Sequence, residues 1–396
     1  MKIFSSVFSL ACLFLSLQLL AQTTPKPNAF AFKLKTPITL DGVLDEEIWK
    51  DTEGWSGDFM QFFPSDTSLS VVPTRVKIAY DDTNIYLAAI MENRGPRKYV
   101  STSLRRDYRG EQNDGVSFVF VTFNDGTNAF QFGVNPYGVQ REALVSNGGT
   151  RPDDLNLAWD NKWYSEAKMM ENHWQVEVII PLSTLRFREG AQNWSINFFR
   201  VDSDAGERST WAPIPRTLPI FSTAFLRKMI FEEPLQKKGA NVSLIPYVAG
   251  RTSKNFLENS SESLRPAIGG DAKIGIGSAM NLDLTFNPDF SQVEVDQQVT
   301  NLDRFEIFFP ERRQFFLENG DLFDSFGQPR SRPFFSRRIG VDIDSTTGQN
   351  VQSKIIYGAR LSGKLNENWR IGAMNMQTAT DEDAGIVGKN FTVFAL

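Results

Sequence analysis

The run from Phe286 to Phe323 constrains this chain more than any other stretch. It interleaves Phe305, Phe308, Phe309, Phe315, Phe316 and Phe323 with Arg304, Glu306, Glu311, Arg312, Arg313, Glu318 and Asp321. Neither strand nor helix periodicity sorts these residues into one apolar and one polar face. Burying so many ionisable groups is costly unless they are paired. A long loop also needs packing of its own to stay ordered. A plug, or an inward-folded turn held against a larger β-structure, meets both demands. Glu306, Glu311 and Glu318 are also the carboxylates a glycoside hydrolase would draw on, since such an enzyme sets two carboxyls about 5–10 Å apart across the scissile bond. Their neighbours Arg304, Arg312 and Arg313 favour salt-bridged structural residues instead.

The first residues set the compartment. Lys2 precedes an apolar stretch from Ile3 to Leu20, and Ala21 offers a small residue before Gln22. This pattern predicts a secretory signal peptide over residues 1–21, followed by a polar linker without a stop-transfer cluster. Its removal would take away Cys12, the only cysteine. The mature chain would then have no disulfide and no thiol-based metal or redox chemistry. Losing Lys2 moves the formal net charge from −5 to −6, which argues against nucleic acid as a partner. His173 is the single histidine, so multi-histidine zinc sites are excluded and any His-containing triad would rest on this one residue. It lies between two strand-like runs and reads as a hairpin-turn residue.

Two unlike parts follow. Seven of the eight tryptophans precede residue 235. The charged segment Leu235 to Gly239 marks the boundary between them. In the first part, Ile38 to Leu40 reads as a short strand and Asp41-Gly42 as a turn. Asp45 to Lys50 reads as one helical turn that carries Trp49 inward. Arg75 to Tyr80 and Ile85 to Met91 read as a hairpin around Asp81 to Asn84. Strands are also expected at Val116 to Phe120, Phe130 to Val134, Trp163 to Met169, Trp174 to Ile180 and Asn193 to Val201. Short strands at this spacing predict an antiparallel β-sandwich over residues 36–232.

The second part has another grammar. Leu282, Leu284 and Phe286 alternate with Asn281, Asp283 and Thr285. Ala272, Ile274 and Ile276 alternate with Asp271, Lys273 and Gly275, and Ile355, Tyr357, Ala359 and Leu361 with Lys354, Gly358 and Arg360, with Ile356 as the exception. Runs with one apolar and one polar face suit a lipid-facing, water-filled barrel, and a half-buried soluble sheet shares the pattern. About six such strands follow Asn241, whereas a closed barrel needs at least about eight. The expectation for residues 240–396 is therefore the first strands of an outer-membrane β-barrel, in a chain that is the front portion of a longer protein or a truncated copy. The fold class is all-β throughout.

Two resemblances sharpen this reading. The string NPDFSQVE, with R-x-E-x-F-F-P-E-R-R-x-F-F-L-E-N after it, resembles the signature of an outer-membrane β-barrel family of unknown function. Members of that family carry an N-terminal domain similar to carbohydrate-binding module family 9. The motifs I-T-L-D-G-V-L-D-E-E-I-W, A-Y-D-D-T-N-I-Y-L, N-D-G-V-S-F-V-F and W-x-V-E-V-I-I-P-L-S-T-L resemble that module over about Thr36 to Glu232. The resemblance implies a protein of the outer membrane of a Gram-negative cell, in contact with lipid. Its sandwich would stand in the periplasm or at the cell surface and handle glycan in carbohydrate catabolism. A hydrolase of O-glycosyl bonds, or a sandwich without ligand that braces or gates the barrel, are the alternatives.

Sugar binding needs an aromatic platform in loops and planar polar side chains beside it. Trp159, Trp211 and Tyr137 are the platform candidates. Arg105, Arg106, Asp107, Asn113 and Arg141 are the polar ones. Trp159 and Trp211 have a competing role, packing at the junction with the second part. No cofactor is expected beyond structural calcium, which family 9 modules carry. Asp81, Asp82 and Asp114 are the oxygen ligands on offer, without the spacing of an EF-hand.

Overall fold

The computed structural model describes residues 28–236, 242–290 and 308–396, apart from 253, 256–259, 262–264, 278, 325, 329–330, 344, 346–347, 349, 367 and 383–384. The expected signal peptide, Arg304, Phe305 and Glu306 lie outside the described residues.

The first unit is built from β1 (Ala29–Lys33), β2 (Met60–Phe63), β3 (Thr74–Tyr80), β4 (Asn84–Glu92), β5 (Gly115–Val121), β6 (Ala129–Val134) and β7 (Gln140–Val145), followed by β8 (Leu155–Asn156), β9 (Tyr164–Met169), β10 (His173–Pro181), β11 (Ala191–Asp202), β12 (Glu207–Thr210) and β13 (Arg227–Leu235). These form one sheet in the order β8-β7-β6-β5-β11-β13-β1-β3-β4-β10-β9, with β12 and β2 attached at β11. The expected sandwich is thus a single sheet that curls until its halves face each other. Val76, Ile78, Leu87 and Val178 from one half share a core with Phe118, Phe132, Trp194 and Phe198 from the other. Two expectations need correction. The sheet is not wholly antiparallel, because β1 runs parallel to both β13 and β3. β1 also precedes residue 36, so the expected span 36–232 omits a strand that joins the two halves. Ile38 to Leu40 forms no ladder.

Local chemistry explains several turns. Asp81 Oδ1 accepts from the amides of Thr83 and Asn84 at 2.6 and 2.7 Å, and the Tyr86 hydroxyl donates to Asp81 Oδ2 at 2.8 Å. This Asx-type turn sets the register of the β3–β4 hairpin. Gly42 has a φ of +76°, which favours glycine. Its amide donates to Glu177 Oε2 at 2.9 Å, while Trp49 Nε1 donates to Glu177 Oε1 at 3.0 Å. One buried carboxylate of β10 therefore fixes both the Asp41-Gly42 turn and the inward tryptophan.

The second unit contains β14 (Val242–Arg251), β15 (Lys254–Asn255), β16 (Ser260–Ser261), β17 (Arg265–Ile276), β18 (Met280–Phe286), β19 (Val341–Ile343), β20 (Asn350–Gln352), β21 (Ile355–Lys364), β22 (Arg370–Thr378) and β23 (Asn390–Ala395). Six of them make an antiparallel sheet in the order β14-β17-β18-β21-β22-β23. It is an open sheet with β14 and β23 at its edges.

The register aligns Ala272, Leu284 and Ala359 across three strands, and Ile274, Leu282 and Leu361 beside them. That apolar face is the uncovered one. Val248 is 79% exposed and Phe286 61%, whereas Asn281 is 2% exposed and Arg360 1%. The polar face is covered by the segment 308–340, whose two short helices span Gln314–Leu317 and Asp321–Asp324. Arg360 donates to Asp283 Oδ2 at 3.0 Å and Asn319 Nδ2 to Ser362 Oγ at 3.2 Å. Phe316, Leu322 and Phe323 pack on Met374 and Met376. A Cβ on Gly372 would come within 2.8 Å of the Phe323 ring, so that close approach requires glycine. Among the described residues, no helix is long and apolar enough to cross a membrane.

Candidate functional site

Arg106 and Asp107 meet the start of β7, where Gln140, Arg141 and Glu142 follow the turn Asn135 to Gly138, while Asn113 bonds to Thr102 and Arg109. Glu142 is fully buried. Arg106 Nε donates to Glu142 Oε1 at 2.9 Å, and Trp163 Nε1 donates to Oε2 at 3.0 Å. Arg106 also donates from Nη1 to Gln140 Oε1 at 2.8 Å and from Nη2 to the Asn161 carbonyl at 3.2 Å. Burial pushes the Glu142 carboxyl up to about 8, against the opposing pull of Arg106. Asp107 takes a left-handed backbone (φ +60°) and accepts from the Glu142 amide at 3.2 Å. Burial raises its pKa too.

Arg141 is buried beneath Gly110, where a Cβ would lie 2.8 Å from Nη1. Its Nε finds no hydrogen-bond partner among the described residues, and burial lowers its pKa. Asn113 is buried and accepts from the Thr102 amide at 2.5 Å. Tyr137 is exposed, and its hydroxyl donates to the Tyr99 carbonyl at 3.1 Å. Arg105 is exposed next to Arg106. The solvent-facing part of this rim is thus Arg105, Arg106, Tyr137, Lys162 and Tyr164. Guanidinium forks, amides and tyrosine faces can hydrogen-bond and stack on a polyol.

The two tryptophan platforms are corrected. Trp159 and Trp211 are buried, so neither ring offers a face to solvent. Trp159 packs on Phe130 and Phe132 at centroid distances of 5.3 and 5.9 Å, and its Nε1 donates to Glu318 Oε1 at 3.3 Å. It therefore sits at the junction with the second unit. Trp211 lies on Phe198 at 5.3 Å, with the Arg227 guanidinium 4.7 Å from its ring. Loop sequence around each residue hides the fact that the loops fold inward.

The acidic candidates are committed elsewhere. Asp114 accepts from the Val100 and Ser203 amides at 2.7 and 2.8 Å and from Arg97 at 3.1 Å. Asp81 is consumed by its turn, and Asp82 Oδ1 lies 4.0 Å from Lys33 Nζ. Among the described residues, no group of three or more His, Cys, Asp or Glu converges on a metal-sized site. Glu311 is held by Arg313, with Nε to Oε1 at 2.9 Å and Nη2 to Oε2 at 2.7 Å. Glu318 pairs with Lys273 of β17 and accepts from Asn281 Nδ2 at 3.2 Å. Although burial opposes it, the charges of Lys273 and Arg186 bring Glu318 down to about 2. So low a pKa suits an ion-paired anchor and not a general acid.

Sequence reasoning missed Gln140 and Glu142 as partners of Arg106, and Trp163 as the second donor to Glu142. The polar triplet Gln140-Arg141-Glu142 entering an otherwise apolar strand is the signal that could have found them.

Residues 240–389 match a family described as "Domain of unknown function (DUF5916)". No curated protein matches the chain. Among solved structures, the chain is similar to a carbohydrate-binding module of family 9 from Caldicellulosiruptor kristjanssonii in complex with cellotriose. The identity is 14%, 54% of this chain and 95% of that chain are covered, and the TM-score is 0.37. The same module in complex with glucose gives 14% identity, coverage of 54% and 100%, and a TM-score of 0.36.

Proposed function

We propose that this chain is an exported, carbohydrate-binding-like protein of the outer membrane, with a lipid-facing wall and a sandwich that handles glycan beside it. One observation carries the membrane part. Across β17, β18 and β21 the sheet covers its polar face and leaves its apolar face bare, the reverse of a water-soluble sheet, whereas β22 buries Met374 and Met376. A barrel wall has this polarity, and six strands would form its first portion. The glycan part is supported by the family 9-like motifs and by the Arg106–Tyr137 rim.

A second reading is favoured by Trp159, Glu318, Lys273 and Asn281. Their linkage ties the sandwich, the plug and the sheet into one body, as a brace or gate would require.

The test has two arms. The full-length protein should sediment with membranes after alkaline washing and be released only by detergent. Release by alkali would end the lipid reading. Residues 28–236 should bind glycan on an array, and Tyr137→Ala should weaken that binding by roughly 1–3 kcal/mol. A sandwich that binds no glycan would leave the bracing role.

A further inference from the structure

A cavity of about 700 Å³ lies between the sandwich and the second sheet, bordered by the plug. It is separate from the Arg106–Tyr137 rim, none of whose residues line it. Its volume falls within the range of about 300–1,000 Å³ typical of small-molecule sites.

Many of its ions are already committed. Lys364 holds Asp125 at 2.6 Å, Arg370 holds Asp321, and Lys273 holds Glu318. Three lining groups keep unused capacity. Among the described residues, Arg186 Nε and Nη1 are buried without a hydrogen-bond acceptor. Asn281, at 2% exposure, spends its amide nitrogen on Glu318 and leaves Oδ1 without a donor. Asp324 Oδ1 is likewise buried without a donor among the described residues. These groups come from the sandwich, the sheet and the plug respectively, and all line the same space. A buried polar atom left unpaired is costly, so such a set calls for an occupant.

The occupant must accept from Arg186 and donate to Asn281 and Asp324. Hydroxyl groups do both. Phe130, Phe308 and Phe316 add aromatic walls against which sugar C–H groups can pack. Carboxylates outnumber cations in the described lining, seven to five, which disfavours an anionic ligand. We infer that this cavity binds a neutral mono- or disaccharide, held by Arg186 from one side and by Asn281 and Asp324 from the others.

The test uses the full chain in detergent, titrated calorimetrically with glucose, galactose, mannose, xylose, cellobiose and maltose, with glucuronate as the anionic control. At least one neutral sugar should bind saturably and more tightly than glucuronate. Arg186→Met and Asn281→Leu should each weaken that sugar at least tenfold. Should either fail to fold, Asp324→Asn should still weaken it at least threefold. No saturable binding by any of these sugars would overturn the inference, because water alone would then fill the cavity. Equal affinity for glucuronate would overturn it too. Loss of binding in Tyr137→Ala with full affinity in the cavity variants would overturn it while leaving the rim as the sugar site.

Discussion

The sandwich and strands β17, β18 and β21 of the second sheet obey opposite rules of burial. In the sandwich, Phe118, Trp194 and Leu87 are buried while Glu166 and Lys168 of edge strand β9 are not. In the second sheet, Asn281, Asp283, Thr285 and Ser362 are buried while Leu284 and Phe286 stand exposed. Both have strand periodicity, so periodicity does not distinguish them. What differs is the layer that covers each sheet. The sandwich covers its apolar face with its own other half. The second sheet covers the polar face of β18 and β21 with an ion-paired plug, whose phenylalanines also bury Met374 and Met376 of β22.

Two buried carboxylates of the sandwich differ from one at the junction. Glu142 and Glu177 in the sandwich are pushed up, to about 8 and about 7, chiefly by burial. Glu318 at the junction is brought down to about 2 because cations outweigh burial. The difference follows the company each carboxylate keeps, since Asp324 of the plug, beside Glu311, is itself pushed up to about 6 by burial.

The largest expected effect tests whether the sandwich is one body. Residues 28–236 should express as a folded domain with a cooperative melt, and residues 36–232 should not, because they lack β1 between β13 and β3. Equal folding of both would reduce β1 to an ornament.

Next is the junction. Glu318→Ala strands Lys273 and takes the acceptor from Trp159, which should cost about 3–5 kcal/mol, read by denaturant unfolding in detergent. The Glu318 carboxyl titrates lower in the folded than in the unfolded chain. Its contribution is therefore full above about pH 4.5 and is lost as pH falls through about 2. The variant should lose that acid limb.

The exposed faces should respond differently to charge. Leu284→Arg on the bare side of β18 should cost about 2–4 kcal/mol in a bilayer. Leu104→Lys, at an exposed sandwich position, should stay within about 0.5 kcal/mol of wild type. A neutral Leu284→Arg would make the bare face a water-facing one.

The smallest effect is a slope. Glu142 and Glu177 hold protons in the folded sandwich that the unfolded chain has released. The stability of residues 28–236 should therefore fall as pH rises from about 4.5 through about 8. Melts at pH 5.5 and 8 should show this, and Glu142→Gln should narrow the gap.

Much of the architecture was legible because strand periodicity and turn chemistry are local. The hairpin around Asp81, the inward Trp49 and the alternation of Asn281 to Phe286 could all be read from neighbours in sequence. His173 begins β10 at the hairpin, where its carbonyl accepts from the Met170 amide at 2.8 Å. β1 was hidden because Ala29 to Lys33 adjoins a proline-containing polar linker and pairs with two strands remote in sequence, Ala29 with Met229 and Ala31 with Ile78. Trp159 and Trp211 misled for a similar reason, since Asp and Pro neighbours mark a loop without saying what lies over it. The plug was visible as an ion-paired, phenylalanine-rich segment, and Glu311 does pair with Arg313. Lys273 as the partner of Glu318 was not visible, because that contact depends on how two units dock.

The central claim is that the bare apolar face of the second sheet meets lipid. Labelling the full-length protein in its native membrane with a lipid-soluble photoactivated carbene probe, then mapping the adducts by mass spectrometry, tests it directly. Adducts should concentrate at Leu244, Val248, Ile268 and Phe286 and be absent from Asn281, Asp283 and Ser362. The opposite outcome, with those four apolar residues unlabelled by the lipid probe and modified by an aqueous radical footprint, would contradict it.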